Sequence, residues 1–512
     1  MKKYGYRAAD IPLGLMISRI GVGGPLGAIV VAALVALAST AMLWNEFHAI
    51  SSDAGLHYGL VRDLMFRAEG QTDLPALPVM STYPPFAHWM SAQIGRVAGS
   101  GLLGMSAVST ASVALFYLTM FAITSRIATR AAMLALAITV AYAVLRGPIF
   151  GRMVVNNYFL GQVAGSALIP IALIGATFLH CRQRWLGADV LVMVCVQIMV
   201  CTHLLPALQL AAVYSCILLF DFWSGRNWHT LWRLLAFSLI TVALTLQNPF
   251  IGTMYDASQS EAGAHINLFG SRIAQIVLVA TGFFLSAKLL FASRENRYAV
   301  TLACMGFGTS LVTILHIALH AAGLTSNYSI AKTVFMTVSV VIFIGAALLA
   351  QRHKRSEEPE HVLPLQGSIL ILCGVMALLA TRADLYPSIV SLRPVASFQE
   401  DIRAALGESP DRQNSTVITT LWPKNIAFAI VYGDLRVPLG PATHALTGES
   451  FPFGQIKTAF APASDPLILG RCVDRALSRG QAIAMRYDCL LEMRSSDDGP
   501  QITKNAAVPL AN

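Results

Sequence analysis

The sequence predicts a polytopic α-helical membrane protein, with about 11 transmembrane helices and a small α/β extracytoplasmic C-terminal domain. Three observations predict it. Of 512 residues, 55% are hydrophobic and 12% charged, with a mean hydropathy of +0.61, whereas soluble domains carry roughly 25% charged residues. Apolar runs recur near 25–44, 101–124, 131–146, 161–179, 188–202, 205–221, 234–247, 273–291, 299–320, 333–350 and 365–381. Most of them approach the roughly 20 residues needed to cross about 30 Å of hydrocarbon. Beyond 381 the composition turns polar and Pro-bearing, with strand-like segments such as 415–421 and 482–487. Residues 1–381 therefore read as the membrane domain and 382–512 as a small folded module on one side of it.

Taken in order, the basic start (Lys2, Lys3, Arg7, Arg19) precedes an apolar run too long for a signal sequence and without a clear cleavage site. It reads as an anchor with a cytoplasmic N-terminus. Alternate loops then hold Arg126 and Arg130; Arg182 and Arg184; Arg226 and Arg233; Lys288, Arg294 and Arg297; and Arg352, Lys354 and Arg355. This is the cation bias of cytoplasmic loops in an inner membrane, and an odd number of spans puts the C-terminal domain in the periplasm. The runs at 188–202 and 205–221 are split only by Thr202, His203 and Leu204, so they read as two short spans or a re-entrant pair. Six cysteines (181, 195, 201, 216, 304, 373) lie in or beside apolar runs and read as small buried hydrophobes. Cys472 and Cys489, in the polar tail, are the pair available for a disulfide in an oxidising compartment. The basic residues form no stripe with interleaved aromatics, which excludes a nucleic-acid surface. The spans carry almost no acids, and no internal repeat is evident, which weighs against a transporter.

The external loops are about 45–100, 147–160, 248–272 and 321–332, and the first is the longest. It carries Glu46, His48, Asp53, His57, Arg62, Asp63, Arg67, Glu69 and Asp73. From Ala54 to Phe66 the apolar residues Leu56, Leu60, Val61, Leu64 and Met65 recur with a helical period. They predict an amphipathic helix lying along the outer membrane surface. Asp53 sits at or near its N-cap, a role worth about 1 kcal/mol by itself. Tyr83-Pro84-Pro85 fixes an extended backbone that ends as the next helix opens with His88 and Trp89.

An acidic residue after the first span, the Arg62-Asp63-Leu64 stretch and Pro84-Pro85-Phe86-Ala87-His88-Trp89 form an ordered set. It resembles the opening of glycosyltransferase C (GT-C) superfamily enzymes. The set is most similar to that of the lipid A aminoarabinose transferases and protein O-mannosyltransferases. The detail covers about residues 40–100, and the rest matches only as architecture. Ala54 follows Asp53 where those relatives commonly carry an Asp-Glu pair. The resemblance implies transfer of a sugar from a polyprenyl-phosphate donor, with inversion, to an envelope glycan, lipid or protein acceptor. The acceptor hydroxyl loses a proton as it attacks, and Asp53 is the candidate base. The sugar passes through an oxocarbenium-like state, and the departing lipid phosphate needs a cation near the membrane surface.

Lys332, where an outer loop meets the tenth run, is the first candidate for that cation, with snorkelling as its plain alternative. Arg146 and Arg152 are further donor-phosphate candidates, with interfacial anchoring as theirs. His57, Tyr83, His88, His203 and His265 are candidate substrate contacts. His316 and His320, four apart, have the spacing of a metal-binding pair but no intervening Glu and no third ligand nearby. The sequence assigns no metal and leaves the need for a divalent ion open. The rival readings are a transporter or flippase of lipid-linked glycans and an O-antigen-type polymerase or ligase.

Overall fold

A computed structural model describes residues 53–66, 83–128, 160–252 and 272–353. It also describes shorter stretches at 46–48, 80, 136, 139–140, 149–151, 254–255, 389–391, 417–419, 467–469, 490–496 and 499–503. The predicted runs at 25–44 and 365–381, most of 131–146, and Cys472 with Cys489 lie outside the described residues.

The helices are α1 (Asp53–Phe66), α2 (Phe86–Ala98), α3 (Gly101–Thr124), α4 (Leu160–Cys181), α5 (Trp185–Val200), α6 (Leu204–Gly225), α7 (Trp228–Leu246), α8 (Arg272–Ala292), α9 (Arg297–Ala321) and α10 (Asn327–His353). Among the described residues seven are long and apolar enough to cross a membrane: α3, α4, α6, α7, α8, α9, and α10 over Asn327–Leu349. The chain is a multi-pass helical membrane protein. The ambiguous pair resolves into a helix α5 of 16 residues, shorter than a full span, and a 22-residue α6, joined at Cys201–His203. His203 caps α6, its Nδ1 accepting the Leu205 backbone N–H at 3.2 Å. Strand β1 (Glu46–His48) pairs antiparallel with β2 (Ile389–Ser391). Strands β3 (Val417–Thr419), β4 (Leu467–Leu469), β5 (Leu490–Ser496) and β6 (Gly499–Thr503) form one mixed sheet in that order.

Two corrections concern burial. The loop helix α1 does not present one wet face: His57, Tyr58, Leu60, Val61, Asp63 and Met65 are all buried. It packs in protein against α2 and α3, where Arg96 donates to the Leu64 and Met65 carbonyls at 2.8 and 3.0 Å. The period of apolar residues found the helix, but period alone does not say whether polar positions meet water or protein. Cys181, expected inside, is exposed because α4 ends there.

Glycines set how closely the helices approach. A Cβ at Gly104 of α3 would lie 1.9 Å from the Ser91 carbonyl oxygen of α2. One at Gly161 of α4 would lie 2.6 Å from the Thr202 carbonyl oxygen. Tyr117 of α3 donates to the Phe150 carbonyl at 2.6 Å, and the Phe150 N–H bonds Ser339 of α10 at 2.8 Å, so these remote segments lock together.

The two ends of the bundle differ in chemistry. At one end, where α4 and α6 finish and α5, α7 and α9 begin, a polar chain joins all five helices. Arg297 pairs with Asp221 through both guanidinium nitrogens and donates to His180 Nδ1 at 2.7 Å. That fixes the proton of neutral His180 on Nε2, which faces the Tyr214 hydroxyl at 3.1 Å. Tyr214 donates to Asp189 at 2.6 Å, and Arg233 forks onto both Asp189 oxygens at 2.8 and 2.7 Å. The sequence reading took these spans as almost free of acids and Arg233 and Arg297 as loop cations. Asp189 and Asp221 instead lie within helices, each held by one of those arginines. An acid in an apolar run demands a partner, and that is the signal the sequence offered. Exposed Trp223, Trp228 and Trp232 ring this end, as aromatic side chains do at a membrane interface.

Candidate functional site

The opposite end gathers histidines. Pro84 and Pro85 deliver the chain into α2, with Pro85 at the N-cap, so that His88 lies on the first turn, fully buried. The Phe86 N–H bonds the Cys201 carbonyl at 3.0 Å, which pins the start of α2 to the turn between α5 and α6. The glycine at 161 lets the Thr202 carbonyl approach α4, and its Cβ position is 3.7 Å from the Tyr83 hydroxyl.

His57 comes to this point from α1. Its Nδ1 lies 2.7 Å from His88 Nε2, with the two rings stacked at 5.0 Å between centroids. Tyr83 stands edge-on to both, at 5.5 Å from His57 and 5.4 Å from His88. Lys332, on the second turn of α10, holds its ammonium 4.2 Å from the centre of the Tyr328 ring. Its backbone carbonyl accepts from Gln162 of α4 at 2.8 Å.

Electrostatics tie these groups together. Burial pushes the His57 imidazole well below its ordinary range, and repulsion from His88, Lys332 and His203 lowers it further. Burial brings His88 down to about 3, with the nearby Pro84 carbonyl partly offsetting it. His203 is lowered by burial and then by Lys332. All three rings are neutral at physiological pH, and Lys332 is the charged group that lowers both His57 and His203. His203 spends Nδ1 on its helix cap, so its neutral ring carries the proton on Nε2 as a donor.

The site also holds polar atoms that no protein group fully satisfies. Among the described residues, Gln162 Oε1 and Ser166 Oγ on α4 and Ser326 Oγ just before α10 are buried without a hydrogen-bond partner. An unmet buried polar atom costs about 1–3 kcal/mol, so each leaves room for water or a polar ligand; others of the kind, such as Gln209, Gln275 and Ser310, lie elsewhere in the bundle.

Of the sequence candidates, the structure brings together His57, Tyr83, His88, His203 and Lys332, drawn from elements up to 275 residues apart in the chain (332 − 57). Asp53 is the first residue of α1, one turn before His57. Arg146, Arg152 and His265 lie outside the described residues. His316 and His320 do not act as a pair: His316 bonds the Val312 carbonyl, whereas His320 bonds Arg272 and the Thr325 carbonyl. Among the described residues no group of three or more His, Cys, Asp or Glu is placed to hold a metal ion. Gln162, Ser166 and Ser326 were not legible in the sequence as site residues, since polar residues at helix ends are common.

No family model matches the chain, and no curated protein matches it. Among solved structures it is similar to ArnT from Cupriavidus metallidurans in the apo state, at 16% identity and a TM-score of 0.44, over 81% of this chain and 85% of that one. It is also similar to the same protein bound to undecaprenyl phosphate, at 13% identity and a TM-score of 0.44, over 86% and 89% of the two chains. Both likenesses fall below the level at which a shared fold is assigned.

Proposed function

We propose that this chain is an integral membrane glycosyltransferase of GT-C type. It moves a sugar from a polyprenyl-phosphate donor to an envelope glycan, lipid or protein acceptor, with inversion at the anomeric carbon. The observation that carries the reading is the meeting of buried His57 and His88 and half-buried Tyr83, from the first long loop, with buried His203 and half-buried Lys332 from distant elements. A loop that merely connected two spans would have no reason to bury two histidines in protein beside a tyrosine and a lysine.

In this reading the histidine end faces outward. The other end carries Arg126, Arg182, Arg184, Arg226 and Arg294, the cation excess of a cytoplasmic face. Lys332 lies along a span yet close to its outer end, where it meets the donor phosphate and takes up the charge that develops as the C1–O bond breaks. Asp53 removes the proton of the acceptor hydroxyl, a contribution of roughly 10²–10⁴-fold. His203 donates Nε2–H, while Tyr83, His57 and His88 wall the sugar. Arg146, Arg152 and His265 remain assigned to the same face, and the polar module 382–512 to the acceptor side.

A flippase must part its helices at each end in turn. Here that means breaking the polar chain across five helices, in which Asp189 and Arg233 are each 9% exposed at the side chain. Parting such ions without water is costly, which favours a fixed bundle with one working end.

The test is transfer from a radiolabelled native lipid-linked sugar pool by membranes holding wild type or Asp53→Asn. The asparagine keeps the size and the capping ability of the side chain but not its basicity. Transfer by wild type, lost in the variant at equal protein level, is the expected result. Equal transfer by both would remove Asp53 as the base, and no transfer from any lipid-linked pool would remove the transferase reading.

A further inference from the structure

Helix α5 begins at the polar-chain end of the bundle, opposite the histidines, and its opening N–H groups have no partner within the helix. A serine, threonine, aspartate or asparagine side chain ordinarily meets such groups. Here the N-cap position holds Arg184, which makes no capping bond, and the first turn carries no acidic residue. The aligned peptide dipoles place partial positive charge at that point, so an anion is the group that suits it.

Helix α7 brings a second group to the same point. Arg233 lays its guanidinium 5.2 Å from the centre of the ring of Trp185, the first residue of α5, and Nη2 reaches the Trp185 carbonyl at 3.4 Å. Nε and Nη2 are also spent on Asp189. Nη1 is buried and makes no hydrogen bond, on a side chain only 9% exposed. A charged N–H donor left unmet in protein is costly, and this one lies beside the uncapped start of α5.

The surroundings add positive charge. Arg182 and Arg184 are exposed on the turn between α4 and α5, and Arg226 is exposed on the turn between α6 and α7. Arg226 holds a left-handed position, φ 46°, that glycine usually takes at a helix end. Asp189 and Asp221, the carboxylates of the neighbouring helices, are already paired with Arg233 and Arg297. Among the described residues none of the three exposed arginines has an ion-pair partner. Leu186, Val190 and Val194 form an exposed apolar stripe running down α5 from its start. Trp185, Trp228 and Trp232 are exposed at the same end, as side chains seated among headgroups are.

We infer that the start of α5 binds the headgroup phosphate of an anionic phospholipid. The first-turn N–H groups and Arg233 Nη1 take the phosphate, and Arg182, Arg184 and Arg226 supply the attraction. The acyl chains lie along the stripe from Leu186 to Val194, which a free phosphate would leave uncovered. Basic recesses between helix ends receive anionic headgroups in this way. The site is independent of the transferase reading.

The experiment uses the purified full-length protein in detergent and counts bound lipid by native mass spectrometry. The probes are a short-chain phosphatidylglycerol, a phosphatidylcholine of the same chain length, and inorganic phosphate as a competitor. Each exposed arginine is worth about fivefold in affinity for an anionic headgroup. Wild type therefore binds phosphatidylglycerol at least about tenfold more tightly than phosphatidylcholine, and inorganic phosphate displaces it only in large excess. Arg182→Gln with Arg184→Gln and Arg226→Asn removes most of that preference, asparagine being tolerated in the left-handed position. Phosphatidylcholine binding is kept in this variant and reports that it is folded. Lys288→Gln with Arg294→Gln takes two exposed cations from elsewhere on the chain and leaves the preference intact. Equal binding of the two lipids by wild type, a preference that survives the triple change, or an equal loss in the Lys288 and Arg294 control overturns the proposal. Inorganic phosphate binding as tightly as phosphatidylglycerol would make this a site for a free anion and overturns the lipid assignment.

Discussion

Replacing Asp189 by leucine removes the acceptor for three bonds at once: the two Arg233 contacts at 2.8 and 2.7 Å and the Tyr214 hydroxyl at 2.6 Å. Arg233 and Asp189 are each 9% exposed at the side chain, so the surviving guanidinium has little water to turn to. Breaking a buried ion pair from one side costs about 3–5 kcal/mol. The low end applies, because Arg233 lies near the rim of the bundle and keeps its contacts with the Trp185 ring and carbonyl. About 3 kcal/mol is therefore expected from Asp189→Leu. The double variant Asp189→Leu with Arg233→Met leaves no buried charge and recovers most of that loss, with a coupling of about 1–3 kcal/mol. The assay is thermal unfolding of the detergent-solubilised protein at a fixed heating rate, with wild type, both singles and the double side by side. Donor binding is measured in parallel and stays unchanged, because His180 and Gln162 are separated by about 27 Å along α4. If the double variant is no more stable than the worse single, the pair does not act as an ionic unit. If donor binding falls with stability, the two ends are not independent.

Two further outcomes follow from the histidine end. His57 and His88 are depressed in the folded protein, His88 to about 3. The unfolded chain therefore binds more protons than the native one below about pH 6.5, and stability rises with pH in that window. Each ring contributes a slope of up to about 1.4 kcal/mol per pH unit inside that window and none above it, so stability is fullest above about pH 6.5 and falls as the pH drops, for His88 down to about 3. Unfolding followed from pH 4 to 8 shows this slope in wild type and a shallower one in His88→Gln; identical slopes would mean that the ring is not buried neutral. Gly161→Ala puts a Cβ 2.6 Å from the Thr202 carbonyl oxygen and pushes the His203 turn away from α4. Donor binding weakens although no site residue is changed, whereas Ala at Gly345, where a Cβ meets nothing within 4 Å, leaves it intact.

Part of the candidate site was legible in the sequence and part was not. His57, Tyr83, His88, His203 and Lys332 could each be singled out as polar groups near one predicted face. Their convergence could not, because a 2.7 Å contact between residues 57 and 88 depends on how α1 packs on α2. Asp189 and Asp221 were passed over for the same reason: each is one acid within an apolar run, and its partner lies 44 or 76 residues away. The loop helix was found by its period but misjudged as a surface helix, since the same period fits a helix buried on one side by protein and on the other by more protein.

The sequence by itself determined where the seven described spans run. Transfer into hydrocarbon is a sum over some 20 neighbouring residues and needs no knowledge of the rest of the chain. It determined likewise that α2 starts after Pro84 and Pro85, because proline fixes its own backbone locally. Only the tertiary structure decided which polar groups meet and which stay apart. Hydrogen bonds and ion pairs act over a few ångströms and in fixed directions. Whether His88 faces His57, or Arg233 faces Asp189, is set by the approach of whole helices across contacts such as Gly104 on Ser91 and Gly161 on Thr202.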